Sequence, residues 1–155
     1  MLTRLSGFTL VELVVVISIA GTLAVALGPR FFTQQTFSDR GYADELAAAL
    51  RFTQKTAVAS GCPAELNVAS GGYAAAQQAA SGNGCNASDS TWTTPVISAD
   101  GTVIAGNAPA NTTASPVGTF RFDDQGRLIS SPAVSITVGS RTITIVAATG
   151  FVQVQ

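Results

Sequence analysis

Three features of this chain could carry chemistry: one carboxylate inside an apolar run, the peptide bond just before that run, and a pair of cysteines. From Phe8 to Leu27 the residues are apolar except for Thr9, Glu12, Ser18 and Thr22. As an α-helix rising about 1.5 Å per residue, that stretch covers roughly 30 Å, one bilayer core. A charge at mid-bilayer costs about 2.5–3.5 kcal/mol on insertion scales and less near a helix end, so Glu12 calls for a partner or must snorkel to the interface. The Gly7-Phe8 bond is informative by its position. A secretory signal peptide would share the short basic start and the apolar run, but its small-residue cleavage site follows the run. No such site closes the run at Leu27-Gly28-Pro29-Arg30. Cleavage after Gly7 would instead remove Met1 to Gly7 and leave the apolar helix as the new N-terminus.

Much other chemistry is closed to the chain. None of its 155 residues is a histidine, which removes histidine bases and histidine metal ligands. Serines are plentiful, yet with no histidine, and no lysine near a G-x-S-x-G elbow, nothing activates one as a nucleophile; no enzyme is expected. Asp123-Asp124 with Gln125 offers oxygen ligands but lacks a calcium-loop pattern, and turn chemistry explains the Asp and Gly there; no metal and no cofactor is expected. Asn86-Ala87-Ser88 and Asn111-Thr112-Thr113 match the glycosylation sequon, a pattern that arises by chance in loops rich in Asn, Ser and Thr. Charged residues make up 11% of the chain, 8 basic against 9 acidic, so no field gathers nucleic acid and no nucleic-acid partner is expected.

The elements that must position these groups follow from periodicity. Gly28-Pro29 follows the apolar run; proline removes a helical N–H and clashes with the preceding turn, so a kink or local melting is expected there, eased by Gly28. Ala43, Leu46, Ala47, Leu50 and Ala57, with Val58 beside it, recur at helical spacing, and Ser60-Gly61 with Pro63 beyond supplies a stop. The reading is one long, interrupted helix from about Phe8 to Ala59, its front half anchoring and its back half lying on a sheet. Past Cys62 the pattern changes to short strands between turn residues. Ala64–Ala69 and Gly72–Ala76 read as a hairpin, Trp92–Ser98 and Thr102–Ala105 as strands, and Thr119–Phe122 and Arg127–Ile129 as strands about a turn. Gln77–Ser90 and Asn107–Pro116 read as loops. The tail alternates Val134, Ile136, Val138, then Ile143, Ile145, Ala147, then Val152 and Val154, a meander with one apolar face. The fold class is α+β: a long N-terminal helix packed on a C-terminal antiparallel sheet.

Gly7-Phe8-Thr9-Leu10-Val11-Glu12 resembles the class III signal of type IV pilins and pseudopilins. The resemblance implies that a prepilin peptidase cuts after Gly7 and methylates Phe8, and that Glu12 pairs with the N-terminal amine of a neighbouring subunit during assembly. It also implies that the segment around Gly28-Pro29 can lose helicity in the filament. The order of helix, Cys-bearing hairpin, Phe120-x-Phe122 strand, Gly126-Arg127 turn and terminal Thr149-Gly150 hairpin is similar to the minor pseudopilin H and T-type fimbrial minor pilins (GspH/FimT-like). This implies a leader at 1–7, a transmembrane and assembly helix at 8–28, its amphipathic continuation at 29–60 and a periplasmic β-rich domain at 61–155. The chain would cross the bacterial inner membrane once. Its expected partners are other pilin or pseudopilin subunits, the prepilin peptidase and the membrane. In such an exported chain the even pair Cys62 and Cys85 reads as a disulfide closing a loop rich in Gly, Ser and Ala, with two free buried thiols as the alternative. The implied function is a structural subunit that joins or primes a type IV pilus or a type II secretion pseudopilus; a major pilin and a DNA-binding minor pilin of natural transformation are the alternatives. Some minor pilins bind DNA through arginines near a C-terminal Gly-Arg motif, and the matching segment here, Gly150 to Gln155, has none.

Overall fold

The computed structural model describes residues 9–31, 34–82, 84–86, 88–131 and 133–155, with the backbone alone over 24–31. The chain divides into two units, residues 1–34 and 35–155. The first contains helix α1 (Leu10–Phe31), which runs on through Gly28 and Pro29. Proline removes one backbone hydrogen bond, and the Leu- and Ala-containing sequence ahead of it carries the helix past. Helix α2 (Gln34–Ser60) follows, and residues 32 and 33 between the two helices lie outside the described residues.

The second unit is built on α2, which ends where Gly61 takes φ 65°, the left-handed conformation that stops a helix. Its buried face is Tyr42, Ala43, Leu46, Ala47, Ala49, Leu50, Thr53 and Ala57, spaced three and four apart. Val58 is exposed, because one further residue turns it about 100° away from Ala57. The chain then forms the expected hairpin of β1 (Ala64–Ala69) and β2 (Gly72–Gln77), closing at Ala69 opposite Gly72. Short pieces follow: β3 (Ala80–Ser81), β4 (Gly84–Cys85), β5 (Thr94–Pro95), β6 (Ala105–Asn107) and β7 (Ala114–Ser115). The remainder is β8 (Gly118–Phe122), β9 (Leu128–Ser130), β10 (Ser135–Val138), β11 (Arg141–Val146) and β12 (Phe151–Val154).

These strands make two principal antiparallel sheets. One runs β5-β2-β1-β8-β9, with β6 also on β2; the other runs β12-β11-β10-β7. Leu66, Phe120 and Phe122 from the first and Ile136, Val138, Ile143, Ile145 and Val152 from the second join the buried face of α2 in one core. Each such side chain contributes about 1.5–3 kcal/mol on burial. The sheets also meet through backbone, Leu128 N–H donating to Ala147 O at 2.9 Å.

Several sequence expectations need correction. The Trp92–Ser98 strand shrinks to Thr94–Pro95 plus a bridge between Ile97 and Val103, and the Thr102–Ala105 strand shifts to Ala105–Asn107. Small hairpin strands sit in the supposed loop Gln77–Ser90. The supposed exposed loop Asn107–Pro116 supplies β7 and a Thr112 only 3% exposed. Thr112 is tolerated inside because its Oγ1 donates to Asp39 Oδ1 at 2.7 Å and accepts from Gln35 Nε2 at 3.0 Å. Val134 and Ala147 lie exposed outside the strands, so the tail's apolar face begins at Ile136 and its middle strand stops at Val146.

Candidate functional site

The start of α1 is fixed by Thr9. Its Oγ1 accepts the Glu12 N–H at 3.2 Å and its carbonyl accepts the Leu13 N–H at 3.1 Å, so Thr9 caps the helix. Thr9-x-x-Glu12 is the spacing of a capping box, a signal that reading Glu12 only as a membrane charge overlooks. The Glu12 carboxylate itself is exposed and has no hydrogen-bond or ion-pair partner among the described residues. Leu10, Val11, Leu13, Val14, Val15, Val16, Ile17, Ile19 and Leu23 of α1 are likewise exposed. Among the described residues, no helix is long and apolar enough to cross a membrane. Gly7 and Phe8 lie outside the described residues, and of Gly28 and Pro29 only the backbone is described.

In the second unit, α2 is tied to the turns that follow the strands. Gln54 Nε2 donates to Gly126 O at 3.1 Å and to Thr149 O at 2.8 Å, while Arg51 donates to Val152 O through Nε at 3.1 Å and Nη2 at 3.0 Å. Gly150, at φ 64°, packs so closely that a Cβ there would run into Gly126 O. The segment Gly150–Gln155 is therefore a docked edge strand. Asp123 organises the other turn: Oδ1 accepts from Gln125 N and Arg127 N, and Oδ2 accepts Arg127 Nε at 2.8 Å. Burial pushes the carboxyl up, but these bonds and the Arg127 charge outweigh burial and hold it below the usual range. Among the described residues, no three His, Cys, Asp or Glu side chains are grouped to hold a metal ion.

Cys62 and Cys85 are bonded to each other, with Cα atoms 5.4 Å apart, which ties β4 to the end of α2. Asp89 gathers the rest of that segment. Its oxygens accept from Ala79 N, Thr91 N, Thr91 Oγ1 and Trp92 N, and the Ala79 bond above all, then those from Thr91, hold the carboxyl down to about 2. Trp92, at φ 47°, lies against the Arg121 guanidinium at 4.8 Å, and Arg121 Nε pairs with Glu65 at 2.7 Å. On the other flank, a cavity of about 300 Å³ opens between α2 and the segment entering β6; there Tyr73 Oη donates to Glu45 Oε1 at 2.7 Å. Burial first, and then this bond, push the Tyr73 hydroxyl well above its ordinary range.

Residues 3–28 match the prokaryotic N-terminal methylation motif. The type IV minor pilin FimU of Pseudomonas aeruginosa is similar at 18% identity and TM-score 0.47, over 75% of this chain and 91% of that one. No curated protein matches the chain. Residues 42–150, well over half of the sequence, match the family of type II transport protein GspH, and the chain belongs to that family as a subunit of the minor pilin and pseudopilin kind.

Proposed function

We propose that this subunit is anchored in the bacterial inner membrane by the apolar run of α1, holds its β-rich domain in the periplasm, and joins or primes a type II secretion pseudopilus or a type IV pilus. The observation that carries this reading is the methylation motif over residues 3–28 placed directly ahead of a GspH-family domain. Prepilin peptidase cuts after Gly7 and methylates the amine of Phe8. Glu12 then serves assembly: its carboxylate has no partner among the described residues, and in lipid a second subunit's amine neutralises it. A DNA-uptake role has less support. Arg121 and Arg127 are spent on Glu65 and Asp123, Arg51 on Val152 O, and Gly150–Gln155 carries no cation.

Intact-mass measurement of the membrane-extracted chain tests the reading. The expected species begins at Phe8 and carries one methyl group; a mature chain beginning at Met1 or beyond Gly28 overturns it. Glu12→Leu tests the assembly contact separately. The variant should insert, be cut and fold, yet co-purify less with pilin-type partners; undiminished co-purification removes Glu12 from the contact.

A further inference from the structure

We propose that the outward face of the first sheet is a binding site for a neutral oligosaccharide. Register lays this face out. Alternation along β1 turns Glu65 and Asn67 outward while Leu66 and Val68 are buried. Arg121 stands beside Glu65, and Thr119 and Ala74 stand on either side of Asn67. Two residues further along, Ala69 opposes Gly72, and Gly72 opposes Asn107 of β6. The result is a set of adjacent rows, each about 7 Å from the next.

Both ends of the face carry a feature that points to a ligand. At the first row, Trp92 lies half-buried against the Arg121 guanidinium, and Asp89 accepts its N–H while its φ stands at 47°. A bulky residue keeps that conformation only where its surroundings impose it, so Trp92 is presented in a fixed place. At the far end is a cavity of about 270 Å³ lined by Asn67, Ala69, Gly72, Ala74 and Asn107. Gly72 lets β6 come this close, since a Cβ there would run into Gly106 O. Asn67 Oδ1 and the Asn107 amide have no partner among the described residues.

The groups on the face select the ligand. Glu65 and Arg121 neutralise each other at 2.7 Å, and the rest is amide, hydroxyl and alanine, so the face draws in neither an anion nor a cation. An extended peptide adds to a free sheet edge, whereas β1, β2 and β8 are already paired on both sides. A sugar ring matches what is left. Its C–H faces suit the indole and the alanines, and its hydroxyls, which both donate and accept, suit the two amides. From the row of Arg121 to that of Asn107 the face runs roughly 13 Å, so a chain of rings rather than a single sugar touches both ends.

The test titrates the full chain in phospholipid vesicles with cellotetraose, a neutral chain of flat rings, and follows the emission of Trp92, the sole tryptophan. A saturable change is expected. Asn107→Ala breaks no side-chain hydrogen bond among the described residues, so it should leave the fold intact and weaken binding about fivefold. Trp92→Ala, followed by calorimetry, should weaken it about tenfold. Absence of saturable binding, or an affinity unmoved by both substitutions, overturns the proposal. Tighter binding of oligogalacturonate, an anionic chain, overturns it as well, because the face would then be reading charge. None of these outcomes bears on the assembly reading, which rests on the methylation motif and the GspH-family domain.

Discussion

Two turn regions of the domain are held by opposite means. Around Gly126 and Gly150, packing does it: both glycines are buried at positive φ, Gln54 bonds to carbonyls of both turns, and Ile145 and Val152 lie buried in the strands alongside. Between Gln78 and Trp92, none of the described residues is buried, and the segment is held by the Cys62–Cys85 bond and the Asp89 carboxylate. Where the sequence supplies alternating apolar residues, burial can position a turn. Where it supplies Gly, Ser, Ala and Asn, a covalent link and one multiply bonded carboxylate replace burial.

The sharpest way to break this contrast is to add the same methyl group to each region. Gly150 and Gly82 have similar φ, 64° and 60°, but a Cβ on Gly150 meets Gly126 O whereas one on Gly82 meets nothing within 4 Å. Gly150→Ala should cost about 4 kcal/mol, summing left-handed strain and overpacking, and Gly82→Ala only about 1 kcal/mol. Denaturant midpoints of the two variants check this; equal losses would mean that packing at Gly150 is not tight. Next in size is the covalent link. Replacing Cys62 and Cys85 together by Ala should lower stability by about 3 kcal/mol on the chain-entropy model, for a sequence separation of 23. Gln54→Ala comes third. It strips the side-chain donor from two carbonyls and should cost about 1–2 kcal/mol, read by thermal unfolding, with the disulfide segment unaffected.

The same contrast explains what the sequence discloses. Ile136, Val138, Ile143 and Ile145 announce their strands because their alternation is dictated by one buried face, and the helical spacing of Leu46 and Leu50 likewise marks the side of α2 that meets the core. Thr112, Thr94 and Trp92 disclose little, since their places depend on Asp39, on a strand edge and on Asp89, partners far along the chain or outside any periodic pattern. At the N-terminus, the methylation motif is legible from residue order alone, because a charge in an apolar run stands out.

Asp89 carries the smallest predicted effect and the most local one. In the folded chain its carboxyl is held down to about 2, first by the Ala79 N–H and then by the donors of Thr91, against an ordinary value of 3.8. A carboxyl depressed on folding lends stability that is fully present above its ordinary range and is lost as pH falls toward its folded value. Acidifying from about pH 4 to 2 should therefore loosen the Gln78–Trp92 segment. Trp92 is the sole tryptophan, so its emission reports this segment alone. The expected result is a fluorescence step in that interval, as the ring leaves the Arg121 guanidinium, with far-ultraviolet dichroism unchanged. Asp89→Asn should show the loosened emission already at neutral pH and no step. If the step survives in Asp89→Asn, the proton goes elsewhere, and the disulfide alone must be holding the segment.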